Sequence, residues 1–284
     1  MSNKDLLDNI KKLREMTGVG FKDCKIALDE NSGDIEKSIE FLRKKGIAKA
    51  SKKMSRTASE GLALVKEENG QVSIIEINSE TDFVAKNQDF INFCKELSEI
   101  NFTTKGDLNK LNATKMKNEI LVKDNLVNLI AKIGEKITIR RSIFFDDTKG
   151  VNFSYVHSAI ENGIGKIISI VKIDGISKGR NEDIGVKIAM HIAASNPLAI
   201  EAEDIDQSVV DKELEIIKAE ITNSGKPADM AEKISKGKLL KFLNDNSLLN
   251  QIWIMDSKKK VSDILRENDI KILDFIRYKV GEGV

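Results

Sequence analysis

Cysteine, histidine, proline and tryptophan are scarce in this 284-residue chain, which carries two, two, two and one of them. Cys24, Cys94, His157 and His191 stand far apart, so no spacing suits a zinc site. The two cysteines read instead as small buried thiols in a reducing compartment, and a cytoplasmic location is expected. No apolar run approaches the roughly 20 residues of a membrane-spanning helix. The stretch Met1-Ser2-Asn3-Lys4-Asp5 opens no signal-peptide core. Surplus charge is also missing: 46 basic against 45 acidic residues leave +1, unlike a general nucleic-acid binder, although a local basic patch remains compatible. The usual catalytic motifs are absent too. Gly165-Lys166 has Ile160 and Ile167 where a phosphate-binding loop needs Gly and Ser or Thr. Gly18-Val19-Gly20 is followed by Asp23 where a dinucleotide fingerprint needs its third glycine, and no Gly-x-Ser-x-Gly elbow occurs. These absences point to a binding protein rather than an enzyme, with no cofactor and no metal.

What is present centres on Asn78-Ser79-Glu80-Thr81-Asp82-Phe83-Val84-Ala85-Lys86-Asn87. It joins a strand pattern, Val72 to Ile77, to a helix pattern, Asp89 to Ile100, which is a usual place for functional residues on a rigid scaffold. Local pattern leaves two readings open. Thr81 or Asp82 caps the helix and Phe83 packs into the core, or the Asp-Phe pair faces a partner.

Residues 1–46 read as three short helices. The first carries Leu6, Ile10, Leu13 and Met16 on one face and stops at Gly18. The second runs from Phe21 with Cys24, Ala27 and Leu28 together. The third starts after Asp34 and stops at Gly46. Phe21 is balanced between core and exposed turn. A basic stretch follows: Arg43, Lys44, Lys45, Lys49, Lys52, Lys53 and Arg56. Lacking interleaved aromatics, it reads as a solvated helix end running into a linker, with an RNA or ribosome contact as the alternative.

From Gly61 the period becomes that of strands. Leu62–Lys66 and Val72–Ile77 flank Asn69-Gly70, a strong hairpin signal. Then come the 78–87 stretch, a helix, a polar loop over 103–111, a long helix from Met116 to Ile133, and a third strand, Lys136 to Phe145. The order repeats: strands 151–159 and 165–173 around Glu161-Asn162-Gly163, a helix over 182–194, and a last strand over 271–280. The pattern predicts an α+β fold with two related subdomains, each a small antiparallel sheet with helices, and a sheet face left for a partner. The second copy holds an insertion. Val210, Leu214, Ile217 and Ile221 form a heptad-type seam, Asn223 to Pro227 a turn, and Met230, Ile234, Leu239 and Phe242 a returning helix. The resulting hairpin either packs within the fold or protrudes as an arm toward a partner or a second copy.

These motifs resemble those of the bacterial translation elongation factor Ts family. The similarity runs through Leu13 to Lys25, Asn78 to Asn87, Ala131-Lys132-Ile133-Gly134-Glu135, Ser154-Tyr155-Val156-His157, Met190 to Ser195, Ser224-Gly225-Lys226-Pro227 and Phe275 to Gly283, in the family's order. The resemblance implies a guanine-nucleotide exchange factor for the GTPase elongation factor Tu. It implies a UBA-like three-helix domain with basic linker (1–55), a core N-subdomain (56–146) and a core C-subdomain (147–284) with an antiparallel coiled-coil hairpin at about 207–245. It places Thr81, Asp82, Phe83 and Val84 at the GTPase's magnesium site, with Asp82 and Phe83 entering and Thr81 as the local cap. His157 is placed on the phosphate side, and Arg14, Val19, Gly20, Phe21 and Lys22 on the nucleotide domain. Glu80 and Asn87 stand where relatives often have Gln and Asp. Longer relatives continue past the match to Gly281-Glu282-Gly283, so contacts of that extension do not carry over. An RNA- or ribosome-associated factor using residues 43–56 is the alternative, and self-association through the hairpin is compatible with both. An enzyme using Glu80, Asp82 and His157 is disfavoured by the missing motifs.

Overall fold

The computed structural model describes residues 3–17, 19–51, 53, 55–176, 182–223 and 228–284. Gly18, Lys52 and the Ser224 to Pro227 turn lie outside them, as do the side chains of Lys49 and Met230. The described residues form a mixed architecture of helices and two antiparallel sheets.

Helices α1 (Asn3–Thr17), α2 (Phe21–Glu30) and α3 (Ile35–Ser51) pack around Ile10, Leu13, Cys24, Ala27, Leu28 and Leu42. Asp34 caps α3, its Oδ1 accepting the Lys37 N–H at 3.0 Å. Two expectations fail here. Met16 is exposed instead of joining the core stripe, and α3 runs through Gly46 to Ser51. The helix continues across this glycine against α7, where a Cβ would sit at ordinary contact distance, 3.6 Å from Val127 and 3.7 Å from Ala131.

Strands β1 (Glu60–Glu68) and β2 (Gln71–Ser79) form the first hairpin across Asn69-Gly70, where both residues have positive φ. After β2 come a one-turn helix, α4 (Asp82–Ala85), then α5 (Gln88–Thr103), α6 (Leu108–Ala113), α7 (Val122–Ile133) and β3 (Ile137–Phe145). The expected cap is displaced: Asn87, not Thr81 or Asp82, caps the long helix, accepting the Asp89 N–H at 2.9 Å and the Phe90 N–H at 3.3 Å. α7 begins at Val122 rather than Met116, because Lys115 and Leu121 pair as a short bridge that folds residues 115–121 into a turn. The expected polar loop over 103–111 instead leads into α6, capped by Asp107.

β4 (Val151–His157) and β6 (Ile167–Asp174) pair directly, and the loop between them lends β5 (Ile164–Gly165) to the first sheet. α8 (Glu182–Ser195), α9 (Gln207–Asn223), α10 (Ala228–Asn246), α11 (Val261–Asn268) and β7 (Lys271–Lys279) complete the chain. The sheets run β3-β2-β1-β5 and β4-β6-β7. In both, the late strand lies beside the second strand of the hairpin. α9 and α10 contact one another, with Ile217 and Ile221 of α9 buried and Lys238 paired to Glu220 across them.

One face of the first sheet, with Leu62, Leu64, Ile75 and Ile77, is covered by Phe90, Phe93 and Leu97 of α5 and by Leu129 and Ile130 of α7. The second sheet buries Val171, Ile173 and Ile272 under α8, α11 and Trp253. The remaining faces meet: Ala63, Val72, Ile74 and Phe145 pack with Ile168, Ile170 and Tyr278. No broad face of β2 is left for a partner, contrary to expectation; it is buried on both sides from Val72 to Ser79.

A polar clasp joins the two sheets. The buried Glu76 carboxylate accepts from Arg140 Nη1 (3.0 Å), Arg141 Nε (2.5 Å), Asn78 Nδ2 (3.0 Å) and the Gly281 N–H (3.0 Å). Burial alone would raise its pKa, but these hydrogen bonds outweigh it and hold the carboxyl below its ordinary value. Gly281 has φ +77°, and a Cβ there would overlap the Ser59 carbonyl oxygen.

Candidate functional site

The loop leaving β2 presents one bare aromatic ring. Phe83 is 78% exposed, the most exposed of the large hydrophobic side chains described. Helical geometry explains how its neighbours turn the other way: Val84 and Ala85 are buried in the first core. Val84, grouped with Thr81, Asp82 and Phe83 by the motif, thus anchors the tip from behind. Asp82 is half-exposed and bonded to Lys86 Nζ at 2.8 Å, while that ammonium also lies 5.9 Å from the Phe83 ring centroid. The Lys86 hydrogen bond is the main reason the Asp82 pKa lies below its ordinary value, and the charge of Lys166 adds to it. The tip thus carries an ionised carboxylate beside an unburied ring.

Thr81 occupies the N-cap position of α4 without making a side-chain cap. Its hydroxyl donates instead to Glu135 Oε1 at 2.8 Å, and its N–H to Glu135 Oε2 at 3.0 Å. Beside it, Glu80 accepts the Lys136 N–H at 2.6 Å and Arg56 Nη1 at 3.0 Å. Those hydrogen bonds overcome the effect of burial and lower the Glu80 pKa. Glu80 and Thr81 are thereby tied to the turn between α7 and β3, and Arg56 is drawn in as well.

His157 is exposed at the end of β4, its Nδ1 3.3 Å from the Tyr155 hydroxyl. It connects to the tip by a short path. His157 pairs with Ile167, the neighbouring Lys166 binds Glu60 at 2.7 Å, and Glu60 pairs with Ser79 at the end of β2.

At the three-helix unit, Arg14, Gly20, Phe21 and Lys22 are exposed and Val19 is half-buried. The two readings of Phe21 are decided for the exposed turn, at 47% exposure. Arg14, Val19 and Gly20 line a cleft of about 560 Å³ closed on the other side by Ala131 and Lys132 of α7. The last turn of α7 therefore lines this cleft and leads directly into the turn that holds the tip.

Among the described residues of the basic stretch, four pair with carboxylates. Arg43 pairs with Asp124 (2.9 Å), Lys44 with Glu40 (2.8 Å), Lys45 with Asp23 (2.9 Å) and Arg56 with Glu80. His191, within one of the motif segments, is fully buried. It is hydrogen-bonded to Gln251 Oε1 at 2.9 Å and stacked 5.3 Å from Trp253, so its role is internal. Glu135 and Arg56 were not legible as site residues. Glu135 carried only its place in the 131–135 motif, directly after the glycine that ends α7. Among the described residues, no group of three or more His, Cys, Asp or Glu side chains could hold a metal ion, and no helix is long and apolar enough to cross a membrane.

The family model described as "Elongation factor TS" matches residues 80–282. The chain is 41% identical over 283 residues to Elongation factor Ts of Methylobacterium nodulans, covering 97% of this chain and 92% of that protein. Identity is 41% over 285 residues with Elongation factor Ts of Azorhizobium caulinodans, and 42% over 285 residues with that of Methylorubrum extorquens, with the same coverage.

Proposed function

The chain belongs to the elongation factor Ts family, and on that premise we propose that it is a guanine-nucleotide exchange factor for elongation factor Tu, acting in translation elongation in the cytoplasm. The observation that carries this reading is the exposed Phe83 ring on a tip whose backbone is anchored from behind.

A GTPase of this kind holds GDP through backbone N–H groups, a lysine and Mg²⁺ at the phosphates. A protein that prefers the nucleotide-free form must weaken nucleotide binding by the same factor, by linkage. Phe83 suits a wedge. Burying such a ring in the partner contributes about 1.5–3 kcal/mol, and it is available only if the partner opens to receive it. The carboxylate of Asp82 arrives with it at the magnesium site. His157 approaches the phosphate side, and Arg14, Val19, Gly20, Phe21 and Lys22 meet the nucleotide domain. Each tenfold in coupling corresponds to about 1.4 kcal/mol, so a large acceleration needs these contacts together. No bond is made or broken and no cofactor takes part.

In this reading residues 1–55 form the UBA-like domain and its linker, 56–146 and 147–284 the two core subdomains, and α9 and α10 a coiled-coil arm that reaches another part of the partner or a second copy. The test is release of a fluorescent GDP analogue from elongation factor Tu in stopped flow. Phe83→Ala is expected to cut the stimulated rate by much more than tenfold while the fold stays intact. A normal rate in that variant removes the wedge assignment. Affinity for the GTPase should rise as Mg²⁺ and GDP are withdrawn.

A further inference from the structure

A helix as short as α4 cannot hold its own shape in water, because nucleating a single turn is unfavourable. Yet the Phe83 ring must meet its partner in one orientation if it is to act as a wedge. The buried Val84 and Ala85 fix the far side of the turn. Its entry is fixed by the carboxylate of Glu135, which takes both the N–H and the hydroxyl of Thr81 at 3.0 and 2.8 Å. The neighbouring bond runs the other way, from the Lys136 N–H to Glu80 at 2.6 Å, so two adjacent residues on each turn are cross-tied. Ser79 closes the loop by donating to the Thr81 carbonyl at 2.9 Å. Glu135 is partly buried behind the tip and is tied to Thr81 there, which makes it a support for the contact surface.

We propose that Glu135 is a positioning residue for nucleotide exchange: it holds the start of α4 so that Phe83 is presented in the conformation that enters the GTPase. This rests on the exchange reading above. The chemistry distinguishes two substitutions at position 135. A glutamine can still take the Thr81 N–H on its oxygen and donate its amide to the Thr81 hydroxyl, whereas alanine removes both bonds.

The experiment pairs stopped-flow GDP release with hydrogen exchange on the free, full-length chain. Glu135→Ala, which removes both hydrogen bonds to Thr81, is expected to lower the limiting release rate about tenfold, with little change in the half-saturating concentration. Glu135→Gln should restore most of that rate. Amides of residues 81–85 should exchange faster in Glu135→Ala, while those of β1 and β2 stay protected. In the Phe83→Ala background, Glu135→Ala should slow release little further, since no ring is left to position. A full tenfold loss persisting in that background, or unchanged amide exchange over 81–85, overturns the proposal. A normal rate in Glu135→Ala beside a slow Phe83→Ala overturns the positioning role and leaves the wedge standing. A normal rate in Phe83→Ala overturns both.

Discussion

Two motif segments of this chain meet water in opposite ways. At residues 80–86 an apolar ring, Phe83, points outward, and the polar side chains around it do the anchoring. At residues 190–195 an imidazole, His191, points inward and is fully buried. The Ile254 N–H donates to its Nδ1 at 3.4 Å, its Nε2 faces Gln251 Oε1 at 2.9 Å, and Trp253 stacks on its face. Gln251 is itself oriented by donating to Ser195 O and Asp245 O at 3.2 and 2.9 Å. Each segment breaks the simple expectation that apolar groups lie inside and polar groups outside. The buried one satisfies every polar atom of its imidazole, which is the condition for stability. The exposed one leaves a large apolar surface unsatisfied, which is a condition for binding. The difference teaches that motif segments of one chain hold two kinds of position, one internal and one exposed at the surface.

The contrast can be broken most strongly at Trp253. Trp253→Ala should destabilise the protein by about 3–5 kcal/mol, read from urea unfolding, because the indole is buried between α8 and α11. If the internal role is right, folded Trp253→Ala at low temperature should retain most GDP-release activity. Phe83→Ala should do the reverse: stability within about 0.5 kcal/mol of the parent, and an exchange barrier raised by well over about 1.4 kcal/mol. Next comes Val84→Ala, which removes two buried methyl groups and should lower stability by about 1–2 kcal/mol, with a smaller loss of exchange than at the adjacent ring.

A weaker effect is expected from pH. Burial is the main cause that pulls the His191 pKa below its ordinary 6.5, and the Gln251 hydrogen bond only partly opposes it. The folded state therefore refuses a proton that the unfolded chain accepts. Stability should be full above pH 6.5 and decline as pH falls from there toward the folded pKa. A urea series between pH 7.5 and 5.5 checks this, and the decline should be shallower in His191→Gln. The smallest effect should come from Lys86→Ala at the exposed tip. An exposed ion pair contributes little to stability, so unfolding should hardly change, and exchange should fall far less than in Phe83→Ala.

Much of the architecture was legible without coordinates. Alternating apolar residues and Asn69-Gly70 marked the first hairpin, and Gly134 marked the end of α7. The repeated order of hairpin, helix and late strand recurs in both sheets, and the motif order led to the family. Element ends were less legible where a tertiary contact overrode a local stop, as at Gly46, across which α3 continues against α7. Within the candidate site, Asp82, Phe83 and His157 were named and all lie at the surface. Val84, named with them from the motif, is buried in the first core. Glu135 was missed as a member of the site because its partner, Thr81, lies 54 positions away.

By itself, then, the sequence determined most of the longer helices and strands, where the first hairpin turns, which family the chain joins, and that no familiar catalytic motif is present. Only the tertiary structure decided which face of each element is covered. It packed the free faces of the two sheets against each other, buried Glu76 under two arginines and the Gly281 N–H, and turned Phe83 outward while drawing Val84 in. The physical reason is one of range. Hydrophobic periodicity records the contrast between one element's own faces, whereas a hydrogen bond or a packed pair across many residues leaves no regular trace in the chain that makes it.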